Sequence, residues 1–195
     1  MKQLVLFDFD GTITTEDTLL EIAKFSSGTL TYLTKMALFL PVFVCMKFQL
    51  ISKQTGKEQF IRFFFGKKTE AGFTKLCEKF ANDRVPELIR HLALKELAAH
   101  QKLGNKVAIV SASPENWIIP WADRYGIEVI STKLRFAGDR FAAIDGINCN
   151  GEEKVRRIRQ AFTLEDYDKV IAYGDTKGDH PMLALADEKH YKPFQ

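Results

Sequence analysis

Few folds accommodate an apolar run that stops abruptly at two aspartates, and residues 4–12, Leu-Val-Leu-Phe-Asp-Phe-Asp-Gly-Thr, are such a run. Apolar residues on both faces read as a strand buried on both sides, as happens where helices cover a parallel sheet. With that strand placed at 5–9, Asp8 and Asp10 share a face about 6.5 Å apart. Gly11 then lets the chain turn sharply. Two carboxylates side by side repel unless they share a proton or a cation. A hard, oxygen-seeking cation such as Mg²⁺ suits the pair.

Further along, 106–110, 127–131 and 170–173 read as short apolar strands. Between and after them 86–103, 114–125, 152–162 and 181–186 read as helices, several closed or opened by Gly or Pro. Residues 134–147, with Gly138 and Gly146 between their pieces, suggest a small antiparallel ribbon. From 16 to 84 no strand is expected. Phe, Leu and Lys recur there at helical spacing, interrupted by Gly28, Pro41, Gly56, Gly66 and Gly72. Strand–helix alternation on both sides of a helical insert predicts an α/β sandwich with a parallel sheet. Polar residues fall at the carboxyl ends of its strands: Asp8 and Asp10, Ser111, and Asp175. In open parallel sheets ligands bind in the crevice outside those ends.

Bulk properties narrow the partners. A net charge of +3 over 195 residues is small and dispersed, so nucleic acid is not expected. Lys67-Lys68 and Arg156-Arg157 read as solvated helix faces. Three widely spaced cysteines, Cys45, Cys77 and Cys149, lack metal spacing and suggest reduced thiols in a cytoplasmic setting. The chain opens directly on a strand, so no export signal is expected. The protein is expected as a monomer or homodimer.

Each polar element has a plain reading on its own. Asp8 and Asp10 could be solvated at a strand end, Ser111 could cap a helix, Lys154 could be a surface lysine, and Asp175 and Asp179 could cap the last helix. Separate readings do not explain why all lie at element ends facing one crevice. Four segments in order, Asp8-Phe-Asp10-Gly-Thr12, Ser111 after its strand, Lys154, and Gly174-Asp175-Thr-Lys-Gly-Asp179, resemble the haloacid dehalogenase (HAD) superfamily of phosphohydrolases. The 16–83 insert and the Ser111-Ala-Ser-Pro-Glu stretch resemble its phosphoserine phosphatase-like subgroup. The resemblance implies a Rossmann-like three-layer sandwich with a parallel central sheet and a small helical cap inserted after the first strand. The core would be 1–15 plus 84–195 and the cap 16–83.

It also implies a Mg²⁺-dependent phosphomonoesterase acting through an aspartyl-phosphate on a small phosphorylated metabolite. Asp8 would be the nucleophile and Asp10 the acid and base. Mg²⁺ would be held by Asp8, the Asp10 carbonyl and Asp175, with Asp179 binding directly or through water. Ser111 and Lys154 would hold the phosphate. Asp17 stands about where the subgroup places a Glu toward the substrate amine, and Arg62 is the candidate for the carboxylate-binding arginine. Gly178 departs from the subgroup, which often has Asn there to help hold phosphate, so that contact is absent or replaced.

Residues 36–46 are eleven consecutive apolar residues between Lys35 and Lys47. Spanning a bilayer takes about 20, so a buried cap helix is the plain expectation. An apolar lining for a lipid-like phosphoester, a membrane-surface contact and a dimer interface are the alternatives. A catalytically silent protein that only holds a phosphorylated ligand is the competitor from another class.

Overall fold

The computed structural model describes residues 2–195. Its centre is β1 (Gln3–Phe7), whose residues from Leu4 onward are fully buried. A tight turn over Phe9–Ile13 follows, closed by the Thr14 N–H to the Phe9 carbonyl at 2.9 Å. The insertion then holds α1 (Thr18–Ser27), α2 (Thr29–Lys47), α3 (Lys53–Phe65) and α4 (Glu70–Asp83). The chain returns through α5 (Val85–Leu88), α6 (His91–Lys102), β2 (Lys106–Pro114), α7 (Glu115–Ala122) and β3 (Glu128–Thr132). A ribbon of β4 (Leu134–Ala137) and β5 (Arg140–Ile144) leads to α8 (Glu152–Ala161), β6 (Lys169–Gly174), α9 (His180–Leu185) and β7 (Glu188–Tyr191).

The main sheet has the order β3-β2-β1-β6-β7, and every pairing in it is parallel. Helices cover both faces, giving the expected α/β Rossmann-like sandwich. One apolar cluster joins Val5, Phe7 and Phe9 to Trp117, Trp121 and the insertion; the other joins Leu4, Leu6 and Val110 to Ile158 and Met182. Because β1 lies between β2 and β6, the crevice beyond their carboxyl ends receives side chains from all three strands.

Several local expectations change. The first strand ends at Phe7, so Asp8 and Asp10 stand in the turn rather than on one strand face. Phe9 extends the apolar run because it is buried against Trp121, at 5.5 Å between rings. The helix expected over 86–103 is broken at Ile89 and Arg90. The Thr15 N–H donates to the Leu88 carbonyl and the Arg90 N–H to the Ile13 carbonyl, tying the segments that leave and re-enter the core. Pro41 and Gly56 lie inside α2 and α3. A Cβ on Gly56 would fall 2.2 Å from the Met46 sulfur, so Gly56 is what lets α2 approach α3.

The larger correction concerns α2. It is not a buried helix: Phe39 is its one buried residue, while Leu33, Leu38, Leu40 and Val44 face outward. Tyr32 and Phe39 turn inward onto Phe60, Phe63 and Phe64 of α3. One stripe is therefore enough to attach it. By length and composition α2 could cross a bilayer. All three cysteines are free thiols.

Candidate active site

Asp8 leaves β1 with its backbone extended and its N–H donated to the Tyr173 carbonyl of β6 at 2.9 Å. Its carboxylate meets the Lys154 ammonium, which rises from the first turn of α8, at 2.6 Å. Lys154 also donates to Asp179 at 2.6 Å and to the Val110 carbonyl at 2.7 Å. An ammonium has three protons, and all three are committed. At 1% exposure, Lys154 is placed to offset the charge of Asp8, and it lies in the wall of the same cavity.

Asp179 is held from the other side by the Thr176 N–H and hydroxyl, at 2.9 and 2.8 Å, in a reciprocal cap where β6 gives way to α9. Carboxylate oxygens of Asp8, Asp175 and Asp179 lie within 4.8 Å of one another. The Thr12 hydroxyl stands 3.3 Å from both Asp8 and Asp175. Gly11 is required twice over. Its φ is +79°, and a Cβ there would sit 2.3 Å from the Asp175 carboxylate.

Burial pushes the Asp8 carboxyl up, to about 8; Lys154 opposes this, and the Asp179 and Asp10 charges add to it. Asp175 is raised too, by burial and by Asp179. Burial would also raise Asp179, but Lys154 and the Thr176 bonds outweigh it and hold Asp179 below the usual carboxylate range. For Lys154 burial favours the neutral amine, and Asp8 and Asp179 together outweigh it, so the ammonium is retained.

Asp10 faces the other way. One of its oxygens accepts from the Thr18 N–H at 2.7 Å and the Thr18 hydroxyl at 2.5 Å; the second lies 3.4 Å from the Ser111 hydroxyl. Thr18 is itself fixed by the buried Trp117 indole N–H at 2.9 Å. Ser111 is fully buried in β2, accepts the Ser113 N–H at 3.0 Å, and does not cap α7.

These groups surround a cavity of about 150 Å³ lined by Asp8, Asp10, Lys154 and Asp179 together with residues the sequence did not single out, Lys57, Ser113 and Asn150. Asp17 is at its rim. One Asp17 oxygen caps α1 by accepting the Leu19 and Leu20 N–H groups. Crowding by protein and the nearby Asp10 charge raise it to about 6 although it keeps solvent contact. Lys57 reaches in from α3 and donates to the Ala112 carbonyl and the Asn148 side chain, both at 2.9 Å. Burial lowers its pKa, against the pull of Asp10 and Asp17.

Arg62 is not brought to this cavity. It donates to the Ala142 carbonyl at 2.6 Å and lies over the Phe141 ring. Asn150 answers the departure at Gly178. A Cβ on Gly178 would meet the Asn150 side-chain oxygen at 2.0 Å, so the amide occupies the space that glycine leaves. Beyond Asp17 and Lys57 a cleft of about 530 Å³ opens, with Phe43 and Met46 from α2 and Phe60 from α3 in its wall.

Residues 5–184 match the haloacid dehalogenase-like hydrolase family. The chain belongs to that family. It is 35% identical to protein CicA of Caulobacter vibrioides across 98% of this chain and 86% of that one. It is 26% identical to the histidinol-phosphatase of Neisseria meningitidis across 67% of this chain and 64% of that one. The structure of a substrate-bound phosphoserine phosphatase superposes with a TM-score of 0.71 at 16% identity, over 98% of this chain and 86% of that chain. The family and these relatives make the protein a HAD phosphatase with a phosphoserine phosphatase-like fold.

Proposed function

We propose that this HAD phosphatase hydrolyses phosphomonoesters through a phospho-aspartyl intermediate on Asp8. The observation that carries the reading is the Asp8–Lys154–Asp179 ion-pair chain, which holds Asp8 at the wall of the 150 Å³ cavity that Asp10 also lines. The Asp8 carboxylate attacks phosphorus, and the departing alkoxide takes the proton of Asp10. Asp10 then accepts a proton from the water that attacks the acyl phosphate. Inorganic phosphate leaves and Asp8 is restored. Thr18 holds Asp10 in place for both transfers, while Asn150 and Ser113 face the phosphoryl oxygens.

The donor set fits Mg²⁺. Asp8 and Asp175 offer hard carboxylate oxygens in a cluster with Asp179, and a cation there would oppose the burial that raises both carboxyls. Asp8, Asp175 and the Asp10 carbonyl would hold the ion. When bound it supplies charge neutralisation between a carboxylate and a phosphate dianion. Both Asp179 oxygens already accept hydrogen bonds, which favours an outer, positioning role for that residue.

The small cavity, with Asp17 and Lys57 at its mouth, supports a compact phosphorylated metabolite under a cap formed by 16–83. A second reading, a phosphate ester with an apolar alcohol, is favoured by the Phe43, Met46 and Phe60 wall of the adjoining cleft. The free thiols support a cytoplasmic setting. The test is Mg²⁺-dependent release of phosphate from an aryl phosphate, abolished by Asp8→Asn. Absence of turnover in the wild type would leave only the silent ligand-binding reading. Comparing kcat/KM for amino-alcohol phosphates and lipid phosphates then decides the alcohol; no gain on the lipid esters sinks the second reading.

A further inference from the structure

Helices on protein surfaces are normally polar on their outer face, and α2 is not. Leu30, Leu33, Ala37, Leu40 and Val44 form one outward stripe, with Leu30 81%, Leu33 57% and Leu40 58% exposed. Phe48 and Leu50 continue it beyond the helix at 69% and 73%. An apolar patch of this extent needs a cover. The charges around it say which. From Ile22 to Lys53 the chain has no Asp or Glu, but it has Lys24, Lys35, Lys47 and Lys53. Beside the patch a shallow depression is lined by Lys35, Arg62, Lys67 and Lys68 and by no carboxylate. A second copy docked stripe to stripe would set these cations against their own kind, whereas an anionic surface complements them.

We propose that the outer face of α2 and its basic rim dock this protein on the surface of an anionic lipid bilayer. The helix lies in the interface and does not cross it. Its two ends pass into α1 and α3, and both are tied to the same body: Glu21 of α1 pairs with Arg84, and Lys57 of α3 bonds to Ala112. A crossing would pull those ends to opposite sides of the membrane. Nineteen apolar-rich residues lying flat, about 28 Å of helix, bury the stripe among acyl chains while lysines at either end meet the headgroups. Phe43, Met46 and Lys47 also line the 530 Å³ cleft, so docking sets the mouth of that cleft beside the bilayer. The docking holds whichever phosphate ester is hydrolysed, because its test reads binding rather than turnover.

The test is cosedimentation of the full chain with vesicles of phosphatidylcholine alone or with one-third phosphatidylglycerol. The expected result is binding to the anionic vesicles, at least tenfold stronger than to the neutral ones and weakened by salt. Leu33→Glu/Leu40→Glu loses tenfold or more of that binding while hydrolysis of a soluble aryl phosphate is unchanged, which reports that the variant is folded. Lys67→Glu/Lys68→Glu weakens binding to the anionic vesicles alone. Three results overturn the proposal: no cosedimentation with anionic vesicles, equal binding to both compositions, or a dimer that Leu33→Glu/Leu40→Glu dissolves with no vesicle binding by the wild type.

Discussion

Replacing Gly178 by alanine isolates the part assigned to Asn150. The three atoms nearest to a Cβ at position 178 all belong to the Asn150 side chain, the closest at 2.0 Å. No real contact is that short, so the amide must swing away from the cavity wall it now forms. A hydrogen bond from a neutral amide to a phosphate is worth about 1.5–3 kcal/mol. At about 1.4 kcal/mol per tenfold, its loss lowers kcat/KM by roughly 10- to 150-fold. Asn150→Ala removes the same contact and is expected to fall in the same range. If one amide accounts for both effects, the double variant Gly178→Ala/Asn150→Ala is no worse than either single one, a coupling as large as the single losses. Gly178→Asn in the Asn150→Ala background returns an amide from the other side of the same gap and recovers part of the activity. The assay is steady-state hydrolysis of an aryl phosphate with saturating Mg²⁺, beside thermal unfolding of each variant. Wild-type kcat/KM for Asn150→Ala, or losses that multiply in the double variant, would refute the reasoning.

Gly11→Ala forces a side chain onto a φ of +79° and into the Asp175 carboxylate. The expected outcome is weaker Mg²⁺ activation, read as a raised half-saturating Mg²⁺ concentration, with stability reduced by about 1 kcal/mol or more in denaturant unfolding. Thr18→Val removes the hydroxyl that donates to Asp10 and orphans the buried Trp117 N–H. A stability loss of about 1–3 kcal/mol and a fall in kcat are expected from unfolding and steady-state measurements; unchanged kcat would remove Thr18 from the positioning of Asp10. Asp8 sets a pH dependence whose sign follows from its raised pKa. Its contribution to stability is full below the ordinary value of 3.8 and is lost as pH rises through about 8. Stabilisation by added Mg²⁺ in thermal unfolding is therefore expected to grow between pH 5 and pH 8. Asp8→Asn flattens that growth.

What the sequence discloses about this site follows from how local each cause is. Asp8, Asp10 and Asp175 are legible because each ends an apolar run, and strand ends in a parallel sheet are where ligands bind. The stop at Phe7 is not legible, because Phe9 is buried by Trp121 rather than by sheet neighbours. β7 is illegible for the opposite reason. Glu188-Lys189-His190-Tyr191 has no apolar signal, and the segment is a strand because β6 offers it a free edge, with Lys169 pairing Glu188 across it. The sequence offers Arg62 as a cap cation, whereas the insert's cation that lines the cavity is Lys57. The two are five residues apart on α3, about 140° around the helix, so one faces the cavity and the other the β5 carbonyls. No local pattern tells these faces apart; the docking of α3 does.

The same topology accounts for the two halves of the molecule. β1 is the middle strand, with β2 on one side and β6 on the other, so the carboxylates at its end receive a lysine-bound carbonyl from β2 and two further carboxylates from the end of β6. An insertion placed immediately after those aspartates has nowhere to fold except over them. Its two connecting segments are stitched together at Thr15–Leu88 and Arg90–Ile13, so the insert leaves and re-enters at a single point beside the cavity. The sheet thereby places the carboxylate cluster, and the insert closes over it, adding Asp17 and Lys57 to the cavity lining and Thr18 as the partner of Asp10. That division sets the carboxylate cluster at the carboxyl edge of the sheet, while the apolar and basic face of α2 lies wholly within the insert.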